Sequence, residues 1–256
     1  MRKFRFILFA VGFLAGPVFL DAGAVMLSRS CQDDYEALIR QGDNFLVDIE
    51  YDKAIEAYTK AIELNPKKAL GYRKRASAKY LKALGHDDDP GALADYEKAI
   101  LLDPLDAEAY CGKAECLSSL KRYPESLEAC DTALAINPKY AEALSLRSSV
   151  KFNLKDFKGA IADIDAAVAL KPTDESFLFV RAGLKEGTGD FQGALADCAR
   201  SLEVKPNDWA IFHLRAKIFL KMGNPKEALK EIDRALAIHN FEFLKDLKKQ
   251  IQTAIK

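Results

Sequence analysis

Apolar and small residues along this chain recur in paired segments, each with the period of an amphipathic helix. Within residues 107–140, Tyr110, Ala114 and Leu117 follow the i, i+4, i+7 spacing that places side chains on one helical face. The second half of that stretch is rich in alanine, whose small side chain lets two helices approach closely. A turn separates the two halves. We therefore predict that the stretch forms a helical hairpin, two antiparallel helices joined by a short connection.

The same pattern returns at a fixed distance along the chain. Pro104, Pro138, Pro172 and Pro206 follow one another at steps of 34 residues, and the residues between them keep the same phase. A period of this length indicates a repeat array, in which each unit packs on its neighbours and no single core forms. Counting from the prolines gives six units, at 35–68, 69–106, 107–140, 141–174, 175–208 and 209–240.

These units resemble the tetratricopeptide repeat. They carry Gly or Ala at the eighth position, an aromatic residue at the seventeenth, Ala at the twentieth and proline at the thirty-second. The resemblance implies an all-α fold, a right-handed superhelical solenoid of six antiparallel helix pairs. It also implies that partners bind on the concave face, which the first helix of each unit builds. The departures from the pattern are Ser126, Ser148, Pro225 and Asn240.

The last residues, 241–256, are predicted to form a helix that caps the array. Leu244, Leu247, Ile251 and Ile255 share one helical face, with lysines opposite. A capping helix covers the apolar end of a solenoid and presents a polar side to water. A helix lying on a membrane surface is the alternative for this amphipathic pattern.

The N-terminal residues 1–24 have the pattern of an export signal. Basic residues within the first five positions precede an apolar run at 6–20, and Ala22-Gly23-Ala24 supplies small residues for cleavage. The run is shorter than the roughly 20 residues that cross a bilayer. We therefore expect an exported protein, periplasmic or secreted, with a linker at 25–34. Anchoring in the inner membrane by residues 6–27 remains the alternative.

Composition and charge exclude several functions. The 256 residues carry 38 basic and 38 acidic side chains, so the chain lacks the basic excess of a nucleic-acid-binding protein. The five cysteines include no CxxC and no zinc-ligand spacing, and Cys130 and Cys198 fill a repeat position that elsewhere holds Tyr or Ile. We expect buried thiols in an all-helical protein, and we predict no metal and no cofactor.

An acidic insertion in the second unit, around His86–Pro90, contains three adjacent aspartates. Adjacent carboxylates do not match the spaced ligands of a calcium loop. An aspartate N-cap followed by proline at the first helical position explains the sequence more simply. No nucleophile or metal-binding motif accompanies the three histidines of the chain, so we expect a protein that is not an enzyme.

Arginine and acidic residues occur together within the units. In each unit with arginine at the seventh position, the twenty-third position is Asp or Glu. In the two units without that arginine, the twenty-third position is alanine. Matched charges of this kind predict ion pairs between the two helices of a hairpin, which fix orientation more than they add stability. The pairs are Arg75 with Asp95, Arg147 with Asp163, Arg181 with Asp197, and Arg215 with Glu231.

Positions 2, 5, 9 and 12 of each unit are expected to form the concave face, offset from the positions that pack on the second helix. Aromatic residues there suit a partner peptide or protein, while packing against the neighbouring helix is the alternative for each ring. Trp209, which opens the sixth unit, is a similar candidate. The residues proposed to contact a partner are Arg73, Tyr80, Glu115, Phe152, Phe179 and Lys217.

Some relatives within the resembled family grip acidic chaperone tails with a clamp of Lys, Asn, Asn, Lys and Arg. The corresponding positions here are Ile39, Asp43, Lys74, Glu108 and Gly112, and none is kept, which argues against that partner. We expect an exported scaffold that binds a protein or peptide in its concave groove. The alternatives are a pilotin-like envelope assembly factor or a membrane-anchored co-chaperone.

Overall fold

The computed structural model describes residues 22–83 and 90–255, and side chains from residue 32 onward apart from Pro90. This part of the chain is built from thirteen helices and contains no strand. The helices are α1 (Ala22–Val47), α2 (Tyr51–Leu64), α3 (Ala69–Ala83), α4 (Pro90–Leu102), α5 (Ala107–Ser119), α6 (Tyr123–Ile136), α7 (Ala141–Asn153), α8 (Phe157–Leu170), α9 (Glu175–Thr188), α10 (Phe191–Val204), α11 (Trp209–Lys221), α12 (Pro225–Ile238) and α13 (Glu242–Ile255).

Successive helices pair into six hairpins, and the hairpins stack into a solenoid. Each of α1, α3, α5, α7, α9 and α11 packs most extensively on the helix that follows it. Each second helix also packs on the first helix of the next unit, and first helices of neighbouring units contact one another. First helices therefore lie closest together and line the inner, concave surface. The predicted all-α repeat fold is confirmed.

Residues 25–34 form part of a helix and not the linker that the sequence predicts. Helix α1 begins at Ala22 and runs without interruption to Val47, so residues 25–34 are helical. Residues 1–21, which hold most of the predicted export signal, lie outside the described part, as do residues 84–89 with the three aspartates. Among the described helices, none is both long and apolar enough to span a membrane.

Aspartate residues cap the N-termini of several helices. Asp106, Asp156 and Asp190 each precede a helix and accept a hydrogen bond from the backbone N–H three residues later, at 2.9–3.0 Å. This N-cap satisfies one of the donors that a helix leaves free at its start. Asp174 and Asp208 cap α9 and α11 through the N–H two residues later.

In the first, third, fourth, fifth and sixth units, the turn between the two helices has a left-handed backbone at the fifteenth position of the unit. Gly189 and Gly223 adopt this conformation with φ of 90° and 74°, and Lys121 and Lys155 adopt it with φ of 58° and 69°. In the first unit the position holds Ile49, with φ of 61°. A β-branched residue is strained in this region, and Ile49 is 69% exposed, so its side chain recovers little by burial.

Replacing Ile49 by glycine is therefore expected to stabilise the first unit by about 1 kcal/mol, because glycine adopts a left-handed backbone without the steric cost. The protection of the α2 amides in hydrogen exchange measures this local free energy. Ile49→Ala is the matched control, since it shortens the side chain but keeps the strained backbone. Equal protection in both variants would contradict the strain argument.

The solenoid is closed at its C-terminal end by α13. Leu244 and Ile251 are fully buried and join a core with Phe212, Ile232 and Ala235 of the last unit. The opposite side of the helix carries exposed or half-exposed lysines. Helix α13 thus covers the apolar end of the array, as its sequence pattern predicts.

Candidate functional site

A cleft on the concave surface, here called the central cleft, extends across the first four units. Its volume is about 290 Å³, at the lower end of the sizes of ligand pockets. Helices α1, α3, α5 and α7 supply most of its wall. The cleft is lined by Leu46, Arg73, Lys74, Ser77, Tyr96, Glu108, Cys111, Gly112, Glu115, Tyr140 and Glu142.

Arg73, a predicted partner contact, lies in this cleft but is already paired. Its Nε is 2.8 Å from Asp106 Oδ2, outside hydrogen-bonding geometry, and its Nη1 contacts Glu108. Lys74 beside it is 2.9 Å from Asp43 Oδ1. Both basic groups of the cleft are therefore held by carboxylates of neighbouring helices.

Glu115, another predicted contact, is placed differently. Its side chain is half-buried in the cleft, and this burial raises the pKa of its carboxyl group above the usual range. Tyr96 and Tyr140 stand nearby, and burial raises the pKa of both phenols. Glu115 is thus a half-buried carboxylate that shares a cleft on the inner surface with two tyrosines.

The structure shows how closely the tyrosine wall approaches the backbone. Tyr96 lies directly over Gly112, where an added Cβ would come within 2.2 Å of the ring. A residue with a side chain at position 112 would push the ring away. Glycine therefore lets Tyr96 form one side of the cleft, and the backbone of α5 forms its floor.

Tyr80 and Phe152 are engaged by neighbouring helices. The Tyr80 hydroxyl is 3.2 Å from Ser119 Oγ on α5. Phe152 packs over Gly187 on α9, where an added Cβ would come within 2.4 Å of its ring, and meets Phe157 edge-on at 5.1 Å. For Phe152, packing between units therefore occupies the ring.

Phe179 and Gly183 form an open part of the concave surface. They lie one turn apart on α9, Phe179 is 39% exposed, and no atom lies within 4 Å of the position that a Cβ would take at Gly183. Lys217 borders this surface from α11, with Nζ 3.9 Å from Glu186. We call the surface formed by Phe179, Gly183 and Lys217 the open groove.

An aromatic cluster at the end of the array was not predicted beyond Trp209. Trp209 meets Phe241 and Phe243 edge-on at 5.1 and 5.8 Å, and His213 meets Phe243 at 5.5 Å. His239 stacks on Phe241. Burial, and then Lys217, lower the pKa of His213. The alternation of aromatic residues at 239, 241 and 243 is the signal that could have indicated this cluster.

The structure brings together the arginine and acidic residues matched in the sequence. Each arginine donates from Nε and Nη2 to both oxygens of its carboxylate, at 2.6–3.1 Å. Lysines four residues after the arginine add a third contact in three of the units, at 2.8–2.9 Å. The four pairs are Arg75–Asp95, Arg147–Asp163, Arg181–Asp197 and Arg215–Glu231.

Two of these arginines also pair with an acidic residue of the preceding unit, which sequence reasoning missed. Arg147 Nη1 donates to Asp131 at 2.7 Å, and Arg181 Nη1 donates to Asp165 at 2.9 Å. Each of these acidic residues lies sixteen residues before its arginine. The partner within the unit lies sixteen residues after the same arginine. That symmetric spacing was visible in the sequence. The ion pairs therefore join units as well as helices.

Buried charge in these clusters is stabilised by its partners. Burial by itself would raise the pKa of Asp163 and Asp197, but hydrogen bonds from arginine and lysine outweigh burial and hold both pKa values below their usual range. The carboxylates are therefore ionised in the folded protein at neutral pH.

The features that catalysis or metal binding would use are metal-ligand clusters and reactive cysteines, and both can be assessed in the described part of the chain. No three His, Cys, Asp or Glu residues converge there as metal ligands would. Cys111, Cys116, Cys130 and Cys198 are buried and form no disulfide among the described residues, and burial raises the pKa of Cys130 to about 12. A thiol with a raised pKa is a poor nucleophile.

Comparison with known proteins identifies the class of this solenoid. Family models of the tetratricopeptide repeat match residues 107–140 and 50–68. The small glutamine-rich tetratricopeptide repeat-containing protein 2 of Mycosarcoma maydis is 37% identical over 94 residues, which make up 37% of this chain and 26% of that protein. The chain thus matches about a quarter of the length of this curated relative.

Solved structures show the same architecture over most of the chain. YrrB, described as a tetratricopeptide-repeat protein with an unusual peptide-binding site, is 26% identical, with a TM-score of 0.54 over 77% of this chain and 99% of that one. The Cut9–Hcn1 complex is 17% identical, with a TM-score of 0.77 over 90% of this chain and 46% of that one. The second similarity concerns the fold alone.

The fold and concave surface define a helical-repeat protein of the type that binds other proteins. The chain contains tetratricopeptide repeats, since models of this repeat match residues 107–140 and 50–68. Proteins of this family are interaction scaffolds for proteins or peptides, and they are typically not enzymes.

Proposed function

We propose that the chain is an exported, non-enzymatic scaffold that binds a protein or peptide partner along its concave surface. The open groove is the observation that carries this proposal. An exposed aromatic ring beside bare helical backbone offers a partner both an apolar contact and a close approach to α9. Export rests on the sequence of residues 1–24, with its basic start, apolar run and small residues.

The glycine at position 183 favours the proposal that a partner lies against α9. Glycine in a helix interior costs about 1 kcal/mol relative to alanine. Nothing in the described surroundings of Gly183 would obstruct a Cβ, so the packing of the fold does not require glycine there. A partner that lies against α9 does provide a physical reason for the missing side chain.

A photo-crosslinking experiment in the native host tests the proposal. Phe179 is replaced by benzoylphenylalanine, cells are irradiated, and crosslinked products are identified in exported and cytoplasmic fractions. We expect a defined partner in the exported fraction. In the Gly183→Leu background, the crosslinked yield should fall about tenfold, since a larger side chain fills the groove.

Ala199 provides the matched control, because it is exposed on α10, the second helix of the same unit. Benzoylphenylalanine at 199 should give none of this product, and Ala199→Leu should leave the yield from position 179 unchanged. A partner captured equally from both positions would contradict binding in the groove. A product confined to the cytoplasmic fraction would contradict export.

A further inference from the structure

The central cleft carries an excess of negative charge that its own basic groups do not neutralise. Five carboxylates line it or pair with its residues, against three basic side chains, which leaves two negative charges unmatched. The carboxylates belong to Asp43, Asp106, Glu108, Glu115 and Glu142, and the basic groups to Arg73, Lys74 and Lys171.

The basic groups are committed to other carboxylates and leave Glu115 without a counter-ion. Arg73 pairs with Asp106 and Glu108, and Lys74 pairs with Asp43. Among the described residues, none gives Glu115 a hydrogen bond or an ion pair, and burial is the one influence on its pKa. Partial burial without a partner disfavours the charged form of a carboxylate, and a cation supplied by a ligand would offset that cost.

The walls around Glu115 suit a long side chain with a charged end. Tyr96 and Tyr140 line the cleft, and Leu46 adds an apolar surface. Lysine and arginine bury their aliphatic stems against such surfaces while the charged group reaches a partner. Aromatic faces also attract the cation itself. A volume of about 290 Å³ is small for a complete ligand but suits one side chain of a larger one.

We propose that the central cleft accepts one lysine or arginine side chain of the partner, with Glu115 as its counter-ion. This inference rests on the proposed function and specifies the chemistry that the concave surface recognises. A preference for a basic side chain is the opposite of the preference for acidic tails in relatives that carry the clamp of Lys, Asn, Asn, Lys and Arg. The open groove, two units further along, then contacts a different part of the same partner.

Positional peptide pools test this recognition without knowledge of the partner. Four pools of dodecapeptides have a fixed central residue, lysine, arginine, norleucine or glutamate, and are random elsewhere. Norleucine keeps the stem of lysine and lacks its charge. The full-length chain is expected to prefer the lysine or arginine pool over the norleucine pool by about tenfold, the effect of one charge-assisted contact.

Two substitutions of Glu115 separate recognition from structure. Glu115→Gln should bring the basic and norleucine pools to parity, and Glu115→Lys should transfer the preference to the glutamate pool. Loss of folding alone cannot produce such an inversion. Glu128→Gln is the control, because Glu128 is exposed on α6 of the same unit, and it should keep the wild-type preference.

The outcomes distinguish this inference from the proposed function. Pools that bind without preference for a basic residue, or an unchanged preference in Glu115→Gln, overturn the cation site and leave binding in the groove intact. Failure of every pool to bind also overturns the cation site. The proposed function fails separately, when the crosslinker at position 179 captures no partner.

Discussion

Replacing Asp197 by asparagine is expected to lower the free energy of unfolding around units five and six by about 3–5 kcal/mol, the cost of removing one partner from a buried ion pair. Asp197 is 2% exposed and accepts hydrogen bonds from Arg181 at 2.6 and 2.8 Å and from Lys185 at 2.9 Å. Asparagine leaves both cations without a buried negative charge. Hydrogen exchange of the α9 and α10 amides measures the loss.

Asp165 provides the matched control, because its carboxylate binds the same arginine at 2.9 Å but is exposed. An exposed ion pair contributes about 0–1 kcal/mol, so Asp165→Asn should change protection little. Equal losses in the two variants would show that burial does not set the strength of these pairs.

The pH dependence of stability follows from the same cluster. The pKa of Asp197 is lower in the folded chain than its ordinary value of about 3.9 in an unfolded one. A depressed folded pKa contributes stability that is fully present above the unfolded pKa and is lost as pH falls through the folded pKa. The free energy of unfolding of units five and six should therefore fall less steeply below about pH 4 in Asp197→Asn than in the wild type. Near neutral pH, the two free energies should depend on pH in the same way.

Removing the buried contacts of α13 is expected to undock this helix from the array. Leu244 and Ile251 are fully buried against the last unit, and truncation of each to alanine costs about 2–5 kcal/mol in a packed core. The double variant Leu244→Ala/Ile251→Ala should lose the hydrogen-exchange protection of α13 and weaken that of α12. Because units contact only their neighbours, units one to three should keep theirs.

Ile255→Ala is the control for this prediction. Ile255 lies on the same helix and is 38% exposed, so its truncation should cost about 0.5 kcal/mol or less. Full protection of α13 in the double variant would contradict its role as a cap. Uniform loss across all six units would contradict the local character of the array.

The sequence did not predict which aromatic rings of the concave surface are exposed. The repeat phase predicts which positions face inward, but it does not distinguish a ring that packs on a neighbouring helix from an exposed one. Phe152 packs on Gly187, whereas Phe179 stands beside Gly183 with open space around it. The difference depends on the residue that the adjacent helix presents, and helix spacing alone does not supply that contact.

The sequence by itself determined the repeat length, the helical hairpins and the arginine–acid pairs within units, because each arises from residues at a fixed spacing in one short stretch. The structure alone decided the continuous α1 through residues 25–34, the ion pairs between units, and the isolation of Glu115. These features depend on how units stack. Stacking places side chains from several repeats in one cleft. The repeat pattern does not show whether a charged side chain in that cleft forms an ion pair.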